Sequence, residues 1–547
     1  MQEAPNQVLF PRPADVLLSD GSVALIRPLE PADAAGLRTL HEQVSDDSIR
    51  LRFFTGNRQA GLDYVEHLLR STEDTVLTLV VVLRGKVVAV ATAEPLSPDS
   101  AEVAFLVADS VRGRGIGSLL LEHLAASCRV RGIRHFVADV LSENNLMLRV
   151  FADAGFAMSR ASEHGVVVFD ISTAATPDVV RAADAREFQS EANSLRPLLY
   201  PRSVAVVGVR SDGGGIGAGV LDSIVRGGFT GRVYVVHPRA ASIAGQSCHR
   251  ALIDLPEPVD VVLIAVPPAA VAGVLEDAAE AGAGSAVVIT SGFGELDPRG
   301  RKMQQDLLRI AREHSLRLVG PNCLGVLAND PSTRLNATFT RATPPPGGLA
   351  IASQSGGVGI VMLDLAQHLG LGIHSFVSLG NKADVSGNDL LSAWYDDAEV
   401  TAAALYLESF GNAPKFARIA RRFAERKPLL AVAGGRSTGG VRAGASHTAA
   451  AAAPTVGVDA LFAQAGVTAC SSAEAMARTA LLLSEQPLPH GPRVGVVSNA
   501  GGIGVLAADS ADGQGLVVPE LSAPLAARLR GLVNGTVGTS NPIDLGA

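Results

Sequence analysis

The chain has 547 residues, too many for one hydrophobic core, and this length alone predicts about three or four domains. The 57 glycines and the low aromatic content of 4% favour alternating α/β units over an all-β architecture. A formal net charge of −8 is mild for this size and argues against broad binding to nucleic acid or a membrane surface. Any anionic ligand must therefore be held by local N–H groups and single arginines.

The cysteines and the apolar runs indicate the compartment. The four cysteines are scattered and show neither a CxxC pair nor metal-ligand spacing, which predicts reduced thiols and no metal site. The N-terminus is polar and interrupted by prolines, so we expect no signal peptide. The longest charge-free apolar run, 261–275, contains two prolines and is shorter than the roughly 20 residues of a membrane-spanning helix. The sequence thus predicts a soluble, cytoplasmic protein.

The first elements in the chain are a strand at 23–27, a helix from Pro31 and two paired strands at 76–83 and 87–93. Between them, residues 45–54 read SDDSIRLRFF. One interpretation of this segment is a helix end with two buried phenylalanines.

A glycine-rich turn follows the next apolar strand, 103–107. The turn, 112–118, reads RGRGIGS and leads into an apolar helix. A strand, a glycine-rich turn and a helix N-terminus together form an anion site, because unpaired N–H groups and the helix dipole converge there. One such turn is a weak signal, but two arginines within it, Glu102 before it and Asn144 after the next strand reinforce it.

This constellation resembles the GNAT-type N-acetyltransferases, whose pyrophosphate loop reads Gln/Arg-x-x-Gly-x-Gly/Ala and is matched by residues 112–117 without a gap. The segment 144–156 also resembles this family, in which the Asn faces the pantetheine arm of coenzyme A. The resemblance covers roughly residues 20–173 and implies a GNAT domain over 1–173 with acetyl-CoA as its substrate. It implies the following acetyl-CoA-binding residues: Phe105, Leu106, Val107, Arg112, Gly113, Arg114, Gly115, Ile116, Gly117, Ser118 and Asn144.

The resemblance also gives Glu102 a role. A lysine amine is protonated at neutral pH and cannot attack a thioester, so a carboxylate within reach must remove its proton. Members that acetylate protein lysines carry a Glu at this place, and Glu102 is therefore the predicted general base; the alternative is a solvated strand-edge residue. A backbone N–H near Leu106 and Val107 would stabilise the oxyanion. The Ser-x-x-Ser-x-x-x-Arg-Phe-Phe pattern of 45–54 also resembles a substrate-cleft loop of these members.

Beyond the GNAT region, residues 174–195 are charged and Ala-rich without an apparent apolar face, which predicts a linker that is partly helical. A second domain is predicted over 196–335, where apolar strands at βα spacing indicate a Rossmann-like sheet. Its second strand ends in His237-Pro238 rather than in an acidic residue, which argues against NAD.

Further motifs lie at 266–268 (VPP), 291–295 (SGFGE), 320–325 (GPNCLG), 353–357 (SQSGG), 380–384 (GNKAD) and 406–409 (YLES). These motifs resemble those of nucleoside-diphosphate-forming acyl-CoA synthetases. The resemblance implies a CoA-binding domain over 196–335, a flavodoxin-like succinyl-CoA-ligase-type domain over 336–487 and a partial third synthetase-like domain over 488–547. His447 lies in a Gly-Ala-Ser-His-Thr loop that matches the phosphohistidine loop of such enzymes, and Glu408 falls where a carboxylate orients that histidine; Ala449, in place of the usual glycine, departs from the pattern. The implied second CoA site comprises Gly208, Gly215, Gly217, Val266, Pro267, Ser291, Gly292 and Asn322.

Neither an ATP-grasp region nor a P-loop is found in the sequence, so we expect either a fragment, which we favour, or a degenerate synthetase half. The whole resembles bacterial Pat-type protein lysine acetyltransferases in the actinobacterial domain order. This resemblance implies acetylation of an AMP-forming acyl-CoA synthetase, regulated by acetyl-CoA bound to the synthetase-like half, and a homo-oligomer is compatible with it. Two alternatives stay open: a subunit of an ADP-forming acetate or acyl-CoA ligase, and a synthetase-like half that serves only as an oligomerisation scaffold.

Overall fold

The computed structural model describes residues 13–440, 442, 455–487, 489–532 and 540–546. The chain divides into two units, Met1–Ser484 and Glu485–Ala547, which are described separately. The first unit contains three sheets in chain order, and the mixed α/β class predicted from the sequence is confirmed. Within the described residues, no helix is both long and apolar enough to cross a bilayer.

The first sheet has eight strands in the order β1-β2-β3-β4-β5-β6-β8-β7. Its strands are β1 Ala14–Leu17, β2 Val23–Pro28, β3 Leu77–Leu83, β4 Lys86–Ser97, β5 Ser100–Val107, β6 His135–Leu141, β7 Met158–Glu163 and β8 Val166–Ser172. The helices that cover it are α1 Ala34–Gln43, α2 Asp46–Phe53, α3 Arg58–Arg70, α4 Ile116–Val130 and α5 Asn145–Asp153. Separate apolar cores fill the two faces of the sheet.

The pairing between β5 and β6 is irregular and covers only part of the two strands. These two strands are parallel, whereas the other neighbours are antiparallel. The β5–β6 ladder runs from Ser100 to Glu102 and ends at the pair Glu102–Val137. Residues 103–107 continue to pair with β4, so their other edge faces an opening between the two strands. The opening between β5 and β6 creates the groove described below.

Helix α6, Pro177–Leu199, follows the first sheet and covers most of the predicted linker. Thr176 caps its N-terminus by accepting a hydrogen bond from the Val179 N–H. Phe188 and Leu195 are buried in the core of the sheets that follow, and the charged side chains of Asp184 and Glu191 are buried as well. The helix is therefore a packed structural element of the protein.

The second sheet has seven strands in the order β11-β12-β10-β9-β13-β14-β15. All adjacent pairs except β11–β12 are parallel, which is the doubly wound arrangement expected of a Rossmann-like domain. Its strands are β9 Ser203–Val207, β10 Arg232–Val236, β11 Ser242–Ile243, β12 Gln246–His249, β13 Val261–Ile264, β14 Ser285–Val288 and β15 Arg317–Val319. Its helices are α7 Gly215–Gly227, α8 Pro268–Glu280 and α9 Pro298–Glu313.

The third sheet has the order β17-β16-β19-β18-β20-β21-β22 and shares one continuous core with the second. Its strands are β16 Gly325–Ala328, β17 Leu335–Thr338, β18 Pro346–Ser353, β19 Ile373–Ser378, β20 Ala402–Leu407, β21 Leu429–Ala433 and β22 Thr468–Ala469. Its helices are α10 Gly356–Leu369, α11 Gly387–Tyr395, α12 Ala413–Ala424, α13 Thr455–Ala465 and α14 Ala473–Glu485. Three single 3-10 turns lie at Pro31–Asp33, Asp109–Val111 and Leu252–Asp254.

The second unit holds a two-stranded parallel sheet. Its strands are β23 Val497–Ser498 and β24 Ile543–Asp544, and its helices are α15 Gly501–Gly513 and α16 Ala523–Leu532.

Candidate active site

A groove of about 430 Å³ occupies the opening between β5 and β6. The N-terminus of α4 and the start of α5 form its other walls. Two residues predicted to bind acetyl-CoA, Arg114 and Ser118, do not line it. Those that do line it, together with the predicted base, are Glu102, Phe105, Leu106, Val107, Arg112, Gly113, Gly115, Ile116, Gly117 and Asn144.

The glycines before α4 have the conformation that an anion site needs. Gly113 and Gly115 have φ of 76° and 81°, in the left-handed region that favours glycine. A Cβ added at either position would meet no described atom within 4 Å, so the space beside the backbone is open. The first N–H groups of α4 point out of the helix toward that space. The geometry suits a diphosphate at this helix N-terminus. Gly117 differs, because a Cβ there would lie 3.2 Å from the Val150 side chain and its role is packing against α5.

The two arginines of the loop have different surroundings. Arg112 lines the groove, and its Nη2 lies 2.7 Å from Asp109 Oδ1 and donates to the Ser48 hydroxyl. Arg114 extends the other way, with Nη1 3.0 Å from Asp20 Oδ2 in the turn between β1 and β2. Ser118 is buried in α4. Arg112 is therefore the loop cation nearest to a ligand in the groove.

Asp109 ties the loop to the segment 45–54. Its carboxylate accepts hydrogen bonds from the Ser45 N–H and the Ser48 hydroxyl, both at 2.6 Å. Burial acts to raise the pKa of Asp109, but these hydrogen bonds and the charge of Arg112 outweigh it and hold the pKa below the ordinary value. Ser45 is also the N-cap of α2. Part of the Ser-x-x-Ser motif thus supports the loop from the side.

The same segment borders the groove. Ser48, Leu51, Arg52 and Phe54 line it, and Phe54 is 46% exposed. The interpretation of 45–54 as a helix end with two buried phenylalanines is therefore wrong for Phe54. Burial could not be inferred from the sequence, since an aromatic pair after a charged helix has no periodicity that assigns either ring to the core.

Glu102 lies at the end of the groove where β5 and β6 part. Its side chain is exposed and lines the groove. In the β4–β5 register it stands directly opposite Glu94, so both carboxylates lie on the same face of the sheet. The Tyr64 hydroxyl donates to Glu94 Oε1 at 2.6 Å, and burial, ahead of this bond, raises the pKa of Tyr64 to about 12. Tyr64 therefore stays a neutral donor at any physiological pH.

Arg52 completes this end of the groove. Its guanidinium lies 4.8 Å from the centre of the Phe53 ring and 4.9 Å from that of Tyr64, which is cation–π geometry. Tyr64 and Glu94 were not predicted as site residues. Glu94 directly follows the predicted strand 87–93 and Glu102 directly precedes the predicted strand 103–107, but the pairing that places them opposite each other could not be seen in the sequence.

Asn144 caps α5 by accepting a hydrogen bond from the Met147 N–H at 3.1 Å. Its carbonyl oxygen is thus engaged within the protein, and the side chain still lines the groove.

The predicted second CoA site falls on the carboxyl edge of the second sheet. Gly208 follows β9 with φ of 103°, and a Cβ there would lie 2.5 Å from the Ala265 backbone. Gly217 packs against Gly208 in the same way, since a Cβ added to Gly217 would lie 2.6 Å from the Gly208 oxygen. Gly215 opens α7, while Val266 and Pro267 precede α8 beside it. This is the crevice between β9 and β13 at which doubly wound sheets bind ligands.

Ser291 and Gly292 of that set lie one strand further along, after β14, and Asn322 lies after β15. Gly292 has φ of 104° and its N–H donates to Glu295 at 2.6 Å, next to the exposed Ser291. Asn322 Nδ2 donates to Asn381 Oδ1 at 3.3 Å. A second cavity, of about 200 Å³, lies nearby between the second and third sheets, and Glu408 lines it with Lys382. His447 lies outside the described residues, so the predicted pair Glu408–His447 stays a prediction.

Three family models match the chain, each over one of its sheets. Residues 46–156 match the Acetyltransferase (GNAT) family, 202–329 match the CoA binding domain, and 346–483 match the succinyl-CoA ligase like flavodoxin domain. The three domain types predicted from the sequence are thus confirmed.

Two curated relatives match different parts of the chain. The alpha subunit of the ADP-forming acetate–CoA ligase I of Pyrococcus furiosus is 36% identical over 327 residues, which cover 59% of this chain and 70% of that subunit. The acetyltransferase Pat of Mycolicibacterium smegmatis is 32% identical over 174 residues, which cover 30% of this chain and 49% of that protein. The chain spans about half the length of the first curated ligases it matches.

A solved structure supports the assignment of the second half. The acetyl-coenzyme A synthetase 1 of Ca. Korarchaeum cryptofilum superposes with a TM-score of 0.61 and 35% identity, over 64% of this chain and 76% of that one. With the GNAT domain in front, this is the Pat-type architecture. The chain belongs to the family of ADP-forming acetate–CoA ligase alpha subunits and carries a GNAT acetyltransferase domain at its N-terminal end.

Proposed function

We propose that the chain is an acetyl-CoA-dependent protein lysine N-acetyltransferase whose chemistry takes place in the groove between β5 and β6. One observation carries the proposal: a single groove joins a glycine-rich helix N-terminus to Glu102, the last residue before the two strands part. The first feature suits the diphosphate of acetyl-CoA, and the second suits an amine that must lose a proton.

The proposed reaction runs along β5. The N–H groups before α4 and the charge of Arg112 bind the diphosphate, and the pantetheine arm lies along the open edge of 103–107. Glu102, directly or through one water, takes a proton from the lysine ammonium, and the free amine attacks the thioester carbonyl. A backbone N–H near Leu106 and Val107 stabilises the oxyanion. The C–S bond then breaks, the thiolate of coenzyme A takes up the proton that the attacking nitrogen loses, and the amide remains on the lysine.

The proposed acceptor is a lysine of an AMP-forming acyl-CoA synthetase. The resemblance to Pat-type acetyltransferases supports this substrate, as does the match to a relative named acetyltransferase Pat. Acetylation would remove the positive charge of that lysine and so inactivate the synthetase. We propose further that acetyl-CoA bound to the synthetase-like half regulates the transfer, with a coupling of about 1–3 kcal/mol, typical of allosteric proteins.

The test is acetyl transfer from acetyl-CoA to an acyl-CoA synthetase, followed by mass spectrometry of acetyl-lysine. Glu102→Gln keeps the size of the side chain and removes the proton acceptor, and should lower kcat by about 10²- to 10⁴-fold. Glu163→Gln, at the exposed end of β7, is the matched control and should match the wild-type protein. Wild-type rates in Glu102→Gln would contradict the proposal.

A second candidate function is that of a subunit of an ADP-forming acyl-CoA ligase. The cavity that Glu408 and Lys382 line, in a half that matches ligase subunits over 327 residues, favours it. It predicts that His447 becomes phosphorylated by acetyl phosphate, or by ATP once an ATP-grasp partner is supplied. An unchanged phosphoprotein signal in His447→Ala would remove this candidate.

The scaffold alternative concerns the same half. A regulatory half should bind acetyl-CoA, whereas a scaffold should not. Calorimetric titration of acetyl-CoA into the chain with Gly115→Glu, which blocks the groove, tests this: binding heat supports a sensor, and no heat supports a scaffold.

A further inference from the structure

A short turn connects the glycine-rich loop to helix α6. The turn, residues 18–22, joins β1 to β2. On one side it contacts the loop: the Ser19 N–H donates to the Arg114 carbonyl at 3.0 Å, and Asp20 Oδ2 lies 3.0 Å from Arg114 Nη1. The Ser19 hydroxyl also reaches the Gly113 carbonyl at 3.4 Å. The loop residue that does not line the groove is thus bound to this turn.

Helix α6 holds the other side of the turn. Asn193 Nδ2 donates to the Ser19 carbonyl at 2.7 Å. Gly21 has φ of 83°, and a Cβ there would lie 2.6 Å from both Cα and N of Ser194. Turn and helix are therefore in direct backbone contact, and only glycine fits between them. Because Ser19 uses its N–H toward the loop and its carbonyl toward the helix, it bridges the two.

Ion pairs hold α6 against the second half of the unit. Glu191 Oε2 lies 2.9 Å from Arg317 Nη1, and both side chains are buried. One turn earlier, Glu187 pairs with Lys415 at 2.9 Å. Asp184, one turn before that, pairs with Arg422 at 3.3 Å. The position of the helix is therefore set by residues from the two synthetase-like sheets.

We propose that Asn193 is a positioning residue for acetyl-CoA: through Ser19 it fixes the backbone of the glycine-rich loop in the form that accepts the diphosphate. Loss of its hydrogen bond leaves the loop free to sample conformations in which the N–H groups do not converge. The affinity for acetyl-CoA then falls, while the chemical step at Glu102, at the other end of β5, is untouched. The consequence for acetyl-CoA rests on the function proposed above.

The first test is steady-state acetyl transfer by the full chain. Asn193→Ala and Asn193→Asp both remove the amide donor and should raise KM for acetyl-CoA about five- to tenfold, as expected for one lost hydrogen bond, with kcat within twofold of the wild-type value. Arg181→Ala is the control on the same helix, since its ion pair with Asp178 lies within α6. An unchanged KM in both Asn193 variants would overturn the inference.

The second test requires no activity. Amide hydrogen exchange of residues 112–119 is measured in the ligand-free full chain. Asn193→Ala should speed exchange in this segment at least threefold and leave that of β3 unchanged. Equal exchange in variant and wild type would overturn the inference even if acetyl transfer is never detected, whereas faster exchange without any acetyl transfer would count against the proposed function alone.

Discussion

Arg317 tests what holds helix α6 to the synthetase-like half of the unit. Its side chain, 5% exposed, lies among carboxylates from three parts of the chain. Nη1 is 2.9 Å from Glu191 on α6, Nε is 3.1 Å from Asp384, and Nη2 is 3.9 Å from Asp389 on α11. We predict that Arg317→Met is among the more destabilising substitutions in the protein.

The magnitude follows from what the substitution leaves behind. Met fills similar volume, so the cavity contribution is small, but three carboxylates lose the guanidinium in a buried place. Lys415, 3.4 Å from Asp389 and 3.9 Å from Glu191, stays beside only two of them. Removing one partner of a buried ion pair costs about 3–5 kcal/mol. For a unit of this size, that loss lowers the midpoint of thermal unfolding by about 3–5 °C, because the entropy of unfolding is about 2.1 cal/mol/K per residue. By contrast, Arg309→Met, which removes an exposed pair with Glu313 on α9, should leave the stability close to that of the wild type, because exposed ion pairs contribute little.

The dependence on pH separates electrostatics from packing. Without the guanidinium, we expect burial to raise the pKa of Asp389 in the folded variant above the unfolded value, because Arg317 is one of the charges that hold this pKa down. When the folded-state pKa of a carboxyl lies above its unfolded-state value, the folded state holds an extra proton between the two values. The stability of the protein therefore falls as the pH rises through that range. The difference between wild type and Arg317→Met should therefore be smaller near pH 5 than near pH 7.

The measurement is thermal and urea unfolding, near pH 5 and near pH 7, of Arg317→Met, Arg309→Met and the wild type. A loss below about 1 kcal/mol in Arg317→Met, or the same loss at both pH values, would refute the reasoning. The first result would mean that water replaces the guanidinium, and the second that the loss comes from packing alone.

Three further predictions concern single residues. Asp109→Asn should destabilise the protein by about 1 kcal/mol near pH 7. The folded-state pKa of Asp109 is lowered, so its contribution to stability is present above the unfolded-state pKa and is lost as the pH falls through the folded-state pKa. Urea unfolding near pH 3 should therefore show a smaller difference between the variant and the wild type. Gly208→Ala should lower stability by at least about 2 kcal/mol, because its Cβ would meet the Ala265 backbone at 2.5 Å, and a variant as stable as wild type would disprove this contact. Iodoacetamide should alkylate Cys248 first, since it is partly exposed whereas Cys323 is buried with its pKa raised to about 12; mass spectrometry of the native protein checks the order.

Local sequence patterns were sufficient for most of the fold. The apolar runs predicted as strands at 23–27, 76–83 and 87–93 correspond to β2, β3 and β4. Each is a short apolar run that contains valine or isoleucine, a local pattern that favours a strand. The glycine-rich turn could also be predicted from the sequence, because a positive φ and an open helix N-terminus both favour glycine just before the helix.

The acceptor end of the groove could not be predicted in the same way. Glu94 and Glu102 face each other only because β4 and β5 pair in one register out of several. Tyr64 reaches Glu94 from α3, thirty positions earlier in the chain. Arg112 and Arg114 show the same limit. The sequence does not distinguish them, but Asp109 lies beside Arg112 and Asp20 beside Arg114, so the two side chains extend in different directions.

Helix α6 shows why buried charge is hard to recognise in a sequence. Residues 184, 187 and 191 recur every three to four positions and so lie on one face of the helix, which would read as a buried stripe if they were apolar. At about 100° per residue, residues 186 and 193 lie on the opposite face. There Arg186 donates to the Asp153 carbonyl at 3.2 Å, and Asn193 holds Ser19. One rigid helix therefore contacts the acetyltransferase domain with one face and the synthetase-like half with the other.

This arrangement determines how the two halves can influence each other. A flexible linker would leave the affinity of the groove independent of the second half. A helix whose ion pairs lie on three successive turns has only one docking position, because a slide by one turn would put Asp184 and Glu187 beside the wrong partners and leave Glu191 buried without Arg317. Any ligand that shifts these partners must therefore move the helix as a unit. Since Asn193 lies on that helix and donates to the Ser19 carbonyl at 2.7 Å, we expect such a movement to reach the glycine-rich loop through Ser19, in line with the regulation proposed above.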